Sequence, residues 1–255
     1  MVSIIAAFQF LTIFPAIIRR MFTSQEMGRS VAWFPLVGLV LGVSLYGINC
    51  LSQLIFPTNV SAALTLFAWV VFTRAFHLDG FMDTCDGLFG GFTPERRMEI
   101  MKDSRVGVFG VAGGVLVLLT QYAALASLDA SPFGDDAASL STGLLPALVL
   151  ATTLGRWVSP LVIYAFPYAR EDGLGIEMKR NVRLNEVLLA TLITGIVSWF
   201  MFSWIGLALM LGAAVITFLI ALYTMRLLPG LTGDIYGTVT TIVETFVLLF
   251  FTINY

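Results

Sequence analysis

The sequence predicts an all-α integral membrane protein with about seven to eight transmembrane helices and acidic loops on the cytoplasmic side. Two observations predict this fold class. Hydrophobic residues make up 58% of the 255 residues and charged residues only 12%, about half the charged share of an average soluble domain. Apolar runs long enough to cross a bilayer as helices also recur from one end of the chain to the other. We therefore expect one membrane-embedded domain over residues 1–255.

The apolar runs come in a regular series along the chain. A run of about 17–25 apolar residues is enough to cross the hydrocarbon core as a helix. The first run is the least suited to crossing, because it is short and contains Pro15, so an interfacial or re-entrant segment is the alternative there. In chain order the runs are Val2–Ile18, Val31–Phe56, Val60–Phe76, Val108–Leu128, Gly143–Phe166, Val187–Trp204, Ile205–Arg226 and Gly237–Ile253.

The charges of the connections predict the orientation. Lys and Arg gather in every second connection, which are Arg19–Ser30, His77–Gly107 and Pro167–Glu186. The connections around Pro57–Asn59, Asp129–Thr142 and Trp204–Ile205 contain neither residue type. Basic residues favour the cytoplasmic side of a membrane. We therefore expect the basic connections to face the cytoplasm, as in a multi-pass protein of the inner membrane.

One of the basic connections, His77–Gly107, also contains a cluster of acids. It holds three carboxylates and the only histidine of the chain within ten residues. Asp79, Asp83 and Asp86 stand at i, i+4 and i+7, so a helix through them places all three on one face. Like charges at this spacing destabilise a helix, and a cation between them removes the repulsion. Oxygen ligands suit Mg²⁺ or Mn²⁺, so the stretch predicts a metal site rather than a solvated turn. His77 is either a general base or an imidazole bonded to backbone.

Further polar residues fall on the same predicted side. Thr93 and Pro94 are typical of a helix start, and the short surface helix that they begin leads to Lys102, Asp103 and Arg105. Cations beside a carboxylate can bind phosphate on a metal, although a surface helix with basic residues at its end explains the same pattern. Gly91, with its neighbouring glycines, allows backbone to approach a phosphate or allows close helix packing.

Two charged residues lie inside apolar runs that are predicted to cross the membrane. Arg156 and Glu244 both lie within segments expected to cross the membrane. Charges at that depth are costly and usually pair or mark a functional site. The two residues are plausible partners, and a structural ion pair and a catalytic role are both open.

Composition also excludes function classes. A net charge of -2 does not fit a strongly basic nucleic-acid binder. A metal or proton transporter is a weaker alternative, because transporters place charged sites near the bilayer midplane, whereas these acids concentrate at one surface.

Four blocks of sequence give a specific resemblance. They are Phe10-Leu11-Thr12 with Phe34-Pro35-Leu36-Val37-Gly38; His77-Leu78-Asp79-Gly80 through Gly87 with Glu99–Gly107; Tyr168-Ala169-Arg170-Glu171 with Gly173-Leu174-Gly175; and Leu231-Thr232-Gly233-Asp234 with Gly237 and Glu244. In this order and on a chain of this size, they resemble the cobalamin synthase family, the adenosylcobinamide-GDP ribazoletransferases. One position departs from the family, because Thr241 stands where a second acid is common in the last block.

The resemblance implies an activity and a set of roles. Such enzymes transfer adenosylcobinamide phosphate from adenosylcobinamide-GDP to α-ribazole or its 5′-phosphate and release GMP, using Mg²⁺. Asp79, Asp83, Asp86 and His77 are then the expected catalytic residues. The expected metal ligands are Asp79, Asp83, Asp86, Asp103, Asp234 and Glu244, and the expected substrate-binding residues are Lys102, Arg105, Asp103, Gly91 and Arg156.

Two other membrane transferases remain as alternatives. A CDP-alcohol phosphotransferase also uses clustered aspartates, but its Ala-Arg pair after Asp-Gly is absent here, where Phe81-Met82-Asp83-Thr84 follows. A membrane prenyltransferase also uses Mg²⁺ on a pyrophosphate. The expected partners are the two substrates and the lipid bilayer, with no nucleic acid, and assembly into a homo-oligomer is left open.

Overall fold

A computed structural model describes residues 1–14, 17–128 and 143–253 and confirms the all-α prediction. In this described part, the only β-structure is an isolated bridge between Tyr168 and Leu231. The helices are α1 (Val2–Leu11), α2 (Ser24–Ser30) with a 3₁₀ turn (Val31–Trp33), α3 (Phe34–Gln53), α4 (Thr58–Phe72), α5 (Phe76–Gly90), α6 (Pro94–Ile100), α7 (Val108–Ser127), α8 (Leu144–Ala165), α9 (Leu174–Asn181), α10 (Leu184–Thr224) and α11 (Gly233–Phe251).

The described helices are those of a multi-pass membrane protein, but the count of seven to eight crossings is not confirmed. Five are long and apolar enough to span a bilayer, and the bent pair α4–α5 makes a sixth if it counts as one span. The first apolar run yields only α1, whose 10 residues are too few to cross as a helix. Pro15 and the connection 129–142 lie outside the described residues.

A sharp bend separates α4 from the acidic helix α5. The two helices meet at 87°, and the break contains two non-glycine residues in the left-handed region, Arg74 (φ 53) and Ala75 (φ 54). Such a conformation is unfavourable for residues with a Cβ, and local contacts compensate for it. The guanidinium of Arg74 donates to the carbonyls of Gln9 at 3.2 Å and Phe10 at 2.9 Å. The predicted run Val60–Phe76 therefore stops at Phe72, and the acidic segment begins a new helix.

The long helix α10 is broken where the sequence places a boundary between two runs. Phe202 and Ser203 have non-helical backbone angles. The chain reverses there. Gly206 comes back so close to Ser198 that a Cβ added to it would clash with the carbonyl oxygen of Ser198. Trp199 and Trp204 make an edge-to-face contact with ring centroids 4.7 Å apart. The break thus lies next to the predicted boundary at residues 204–205.

Helix α8 lies at the centre of the bundle. Of its apolar window, 89% is buried by other helices, so it has little contact with lipid. Close approaches hold it in place: the hydroxyl of Thr152 donates to the carbonyl of Gly38 on α3 at 2.7 Å. From α11, the hydroxyl of Thr240 donates to the carbonyl of Gly155 at 2.9 Å.

The basic connections meet at one end of the bundle. Ser24 on α2 bonds Glu177 on α9 at 3.2 Å. Arg97 on α6 donates to the carbonyl of Leu227 at 3.3 Å. Arg170 in the third connection donates to the carbonyl of Met101 in the second at 3.3 Å. All three basic connections and the segment before α11 therefore share one end, as the alternation of charge predicts.

Candidate active site

The acidic segment forms a helix, as its spacing predicts, and Asp86 occupies the end of it that faces α7. The carboxylate of Asp86 is buried and accepts two backbone hydrogen bonds. Gly107 donates to Oδ2 at 2.7 Å and Gly110 donates to Oδ1 at 2.8 Å. A carboxylate at a helix N-terminus satisfies unpaired N–H groups and complements the helix dipole. Asp86 therefore caps α7, and its metal-binding role stays a prediction.

Asp79 and Asp83 are the free carboxylates of α5. Asp79 is exposed and Asp83 is half-buried. Neither forms an ion pair or hydrogen bond with any residue in the described ranges. Asp83 nevertheless lies close enough to Asp79, Asp86 and Asp234 for each carboxylate to act on it electrostatically. The site thus contains concentrated negative charge with two carboxylates available to a ligand.

Asp234 joins this group because α5 and α11 pack without intervening side chains. A Cβ added to Gly80 would lie 2.9 Å from the Cα atom and carbonyl oxygen of Asp234. A Cβ on Gly237 would lie 2.9 Å from the carbonyl oxygen of His77. The hydroxyl of Thr238 also donates to that of Thr84 at 2.7 Å. These contacts bring the first turn of α11 against the acidic helix, as the predicted gathering of cytoplasmic acids requires.

Arg170 adds a positive charge to the site. In the sequence it stands out only as a member of the third resemblance block. The isolated bridge places it: Ala169 donates to the carbonyl of Leu231 at 2.8 Å, and Leu231 donates to that of Pro167 at 2.9 Å. Nη2 of Arg170 then donates to Oδ2 of Asp234 at 2.6 Å and to the carbonyl of Met101 at 3.3 Å. Arg170 therefore connects three loops beside the acids, and its position in a motif is the signal that could have identified it.

A cavity of about 550 Å³ lies beside this cluster. Residues of all four resemblance blocks line it, although these blocks are far apart in the sequence. The first block contributes Phe10, Leu11 and Phe34, the second His77 and Lys102, the third Tyr168, Arg170, Gly173, Leu174 and Gly175, and the fourth Gly233 and Gly237. Phe76, Ser159, Ile163, Asp172, Met178 and Tyr236 complete the lining. Burial raises the pKa of the Tyr168 phenol, so it is a neutral hydrogen-bonding group at pH 7.

A second cavity of about 400 Å³ lies at the Asp86 end of α5. Asp86, Arg96, Asp103 and Arg105 line it. Asp103 and Arg105 form an exposed ion pair at 2.6 Å, and the hydrogen bond from Arg105 lowers the pKa of Asp103 to about 2. The structure therefore separates the two predicted phosphate-binding cations, because Lys102 lines the larger cavity and Arg105 the smaller one.

The remaining predicted site residues lie further from the acids. Gly91 ends α5, and its carbonyl accepts a hydrogen bond from Arg97 at 3.0 Å. Arg156 and Glu244 form a buried ion pair between α8 and α11, which confirms that they are partners. Glu244 stands ten residues after Asp234, about 15 Å along the helix axis. A small cavity of about 30 Å³, lined also by His77, touches this pair.

The carboxylates fit one kind of metal site better than others. Within the described residues, no three His, Cys, Asp or Glu side chains are close enough to form a metal cage. Zn²⁺ and Ca²⁺ sites usually need such a cage, whereas Mg²⁺ is commonly held by one or two carboxylates, water and substrate phosphates. Two free carboxylates beside a substrate-sized cavity fit that last arrangement.

Comparison with known proteins gives the family. A family model described as cobalamin-5-phosphate synthase matches residues 3–252. A protein of Desulfitobacterium hafniense named adenosylcobinamide-GDP ribazoletransferase is 40% identical over 253 residues, which cover 95% of this chain and 93% of that protein. Proteins of the same name from Desulforamulus reducens and Vibrio cholerae are 38% and 34% identical, covering 96% and 95% of this chain and 94% and 90% of their own lengths. No solved structure matches the chain. The chain therefore belongs to the cobalamin-5-phosphate synthase family and is a transferase.

Proposed function

We propose that this protein transfers adenosylcobinamide phosphate from adenosylcobinamide-GDP to α-ribazole or its 5′-phosphate and releases GMP. One observation carries the proposal: the four motifs of the family resemblance converge on a single cavity, whose wall residue Arg170 binds Asp234, and the free carboxylates Asp79 and Asp83 lie within electrostatic reach of Asp234. The names of the relatives support the same reaction.

The reaction is a phosphoryl-type transfer. An oxygen of the acceptor ribose attacks the phosphorus that carries the cobinamide, forming a new P–O bond. The bond between that phosphorus and the bridging oxygen breaks, and GMP leaves with the electron pair. The hydroxyl proton passes to a neighbouring carboxylate or to His77. Catalysis of this kind depends on positioning and on neutralising charge on the phosphates.

In this proposal Asp79 and Asp83 would hold Mg²⁺, with Asp234 as a neighbouring acid, and the ion would supply positive charge to offset that of the pyrophosphate. Glu244 is left out of this set because its carboxylate is engaged by Arg156. Asp86 contributes indirectly, since it fixes the N-terminus of α7 next to the acids.

The basic side chains of the site lie at two different cavities, where they can bind different parts of the substrates. Arg170 holds Asp234 and lines the larger cavity, together with Lys102. Arg96 and Arg105 line the smaller cavity, where they can balance the charge of departing GMP. The site would face the cytoplasm of the cell, in its inner membrane, because the basic connections surround it.

The experiment that tests the proposal uses the full chain in proteoliposomes. Adenosylcobinamide-GDP and α-ribazole are supplied with Mg²⁺, and the corrinoid product and GMP are quantified by mass spectrometry. We expect both products in equal amounts and neither when EDTA replaces Mg²⁺. CDP-alcohols and prenyl diphosphates are supplied in parallel. Product from either of these, and none from the corrinoid, overturns the proposal in favour of the corresponding transferase.

A further inference from the structure

We propose that the larger cavity binds the acceptor nucleoside and recognises a neutral bicyclic aromatic base carried on a ribose. This inference rests on the proposed function, which needs such an acceptor. It assigns that substrate to one of two cavities, which the reaction alone does not do.

Two groups of aromatic rings line the cavity. The ring of Phe10 stacks near that of Phe34, with centroids 6.0 Å apart, and meets Phe76 edge-on at 5.1 Å. A second group consists of Tyr168 and Tyr236, whose centroids are 6.0 Å apart. Aromatic rings bind other flat rings through stacked and edge-to-face contacts. The lining therefore suits a flat apolar base.

Three buried polar atoms on the cavity wall lack partners. They are Nδ1 of His77, Nε of Arg170 and the hydroxyl of Tyr236, none of which has a hydrogen bond to the described residues. His77 and Tyr236 are more than nine-tenths buried, with exposures of 7% and 8%. Buried polar groups in proteins are almost always hydrogen-bonded. The three residues line the cavity, but these atoms point into the surrounding protein. A nucleoside that turns the side chains toward it on binding can satisfy them, because its unsubstituted ring nitrogen accepts a hydrogen bond and its ribose hydroxyls both donate and accept.

Size and polarity favour the acceptor over the donor. A cavity of about 550 Å³ lies in the range that buries a drug-sized ligand, whereas a corrinoid is much larger. The guanine end of the donor presents adjacent N–H groups, which pair well with a carboxylate. Among the described residues that line the cavity, Asp172 is the sole carboxylate, and it is exposed on a loop. A deeply placed guanine would not reach it.

The position of the cavity also orients the acceptor for reaction. Gly233 and Arg170 belong to its wall; Gly233 precedes Asp234 in the chain, and Arg170 donates a hydrogen bond to that carboxylate. A ribose at this end of the cavity places its hydroxyls near Asp234. Lys102 on the same wall provides a cation for a 5′-phosphate, so both forms of the acceptor fit.

The test separates the two substrates kinetically. Tyr236→Phe removes only the unpartnered hydroxyl, and Ile163→Trp fills the cavity from α8. We expect Tyr236→Phe to raise the KM for α-ribazole about tenfold, as the loss of one hydrogen bond predicts, and to leave the KM for adenosylcobinamide-GDP unchanged. Calorimetry with α-ribazole alone should show binding to the parent and none to Ile163→Trp. Leu116→Trp, on the exposed face of α7, is the matched control and should bind as the parent does.

Each other outcome is decisive. A raised KM for the donor, or KM values for both substrates that stay at the parental level in Tyr236→Phe, overturns the assignment of the cavity while the proposed function stands. A parent protein that makes no product overturns the proposed function itself. If Ile163→Trp does not fold, the KM values of Tyr236→Phe decide the question alone.

Discussion

Arg170 donates a hydrogen bond from Nη2 to Oδ2 of Asp234 at 2.6 Å, and this contact joins the loop after α8 to the first turn of α11. The pair sits among like charges, because Asp234 is also within electrostatic reach of Asp79. Arg170 thus holds Asp234 in place against the repulsion of the neighbouring acids. The contact makes the arrangement of the acids dependent on a residue from another part of the chain.

Arg170→Met tests this relationship. The variant loses a charge-assisted hydrogen bond worth about 1.5–3 kcal/mol, so its Tm in detergent should fall and product formation should drop sharply. Arg180→Met, which removes an exposed cation of α9, should change neither. Adding Asp234→Asn to Arg170→Met should restore part of the Tm without restoring turnover, because the repulsion is removed but the acid is missing. A parental rate in Arg170→Met would contradict the role of the pair.

Removing the carboxylate of Asp86 should lower the stability of the protein, whereas removing that of Asp79 should not. Asp86→Ala leaves the N–H groups of Gly107 and Gly110 without their acceptor, so it should lower stability by about 1–3 kcal/mol. Asp79→Ala removes a free carboxylate from a repelling group and should not lower the Tm. Thermal unfolding of both variants in the same detergent measures the difference. An Asp86→Ala protein as stable as the parent would show that α7 does not need this cap.

The glycine contact between α5 and α11 gives a third prediction. Gly80→Ala places a methyl group against the backbone of Asp234, so it should push the helices apart and reduce both the Tm and turnover. Gly47→Ala is the matched control, because a Cβ there meets nothing within 4 Å. Replacing a helix-interior glycine by alanine normally gains about 1 kcal/mol. Gly80→Ala with a raised Tm would contradict the close packing.

The buried ion pair of Arg156 and Glu244 gives a fourth prediction. Glu244→Gln leaves a guanidinium in the bundle without its counter-charge, which typically costs about 3–5 kcal/mol. The double variant Arg156→Met with Glu244→Leu removes both charges and should recover most of the Tm. It should also keep turnover, since Glu244 lies about 15 Å along the helix from Asp234. A stable but inactive double variant would instead support the metal-binding role that the sequence predicts for Glu244.

The sequence predicts those features that depend on local spacing or on the cost of burying charge. The i, i+4, i+7 pattern predicts the acidic face of α5, and the presence of Arg156 and Glu244 inside apolar runs predicts their pairing. The first inference needs only helix geometry. The second needs only the cost of an unpaired charge in the bilayer, which makes two intramembrane charges of opposite sign candidates for a pair before the packing of their helices is known.

Features that depend on packing between distant segments were not predictable in this way. The cap that Asp86 forms on α7 was not predicted, because nothing local shows that α7 begins against it. Phe10, Phe34 and Phe76 lie in or beside apolar runs and resemble lipid-facing residues, yet they line a cavity. The bend at Arg74 and Ala75 was also missed, since neither residue type favours a left-handed backbone. The count of seven to eight crossings is not confirmed, since α1 is shorter than its apolar run.

The most direct test of the central claim is the rate of corrinoid product and GMP formation by Asp83→Asn in proteoliposomes containing Mg²⁺. This substitution keeps the size of the side chain and removes its charge, and Glu95→Gln on the exposed face of α6 is the matched control. The account predicts that Asp83→Asn has the parental Tm and makes neither product, while Glu95→Gln makes both at the parental rate. Turnover of Asp83→Asn near that of the parent would contradict it.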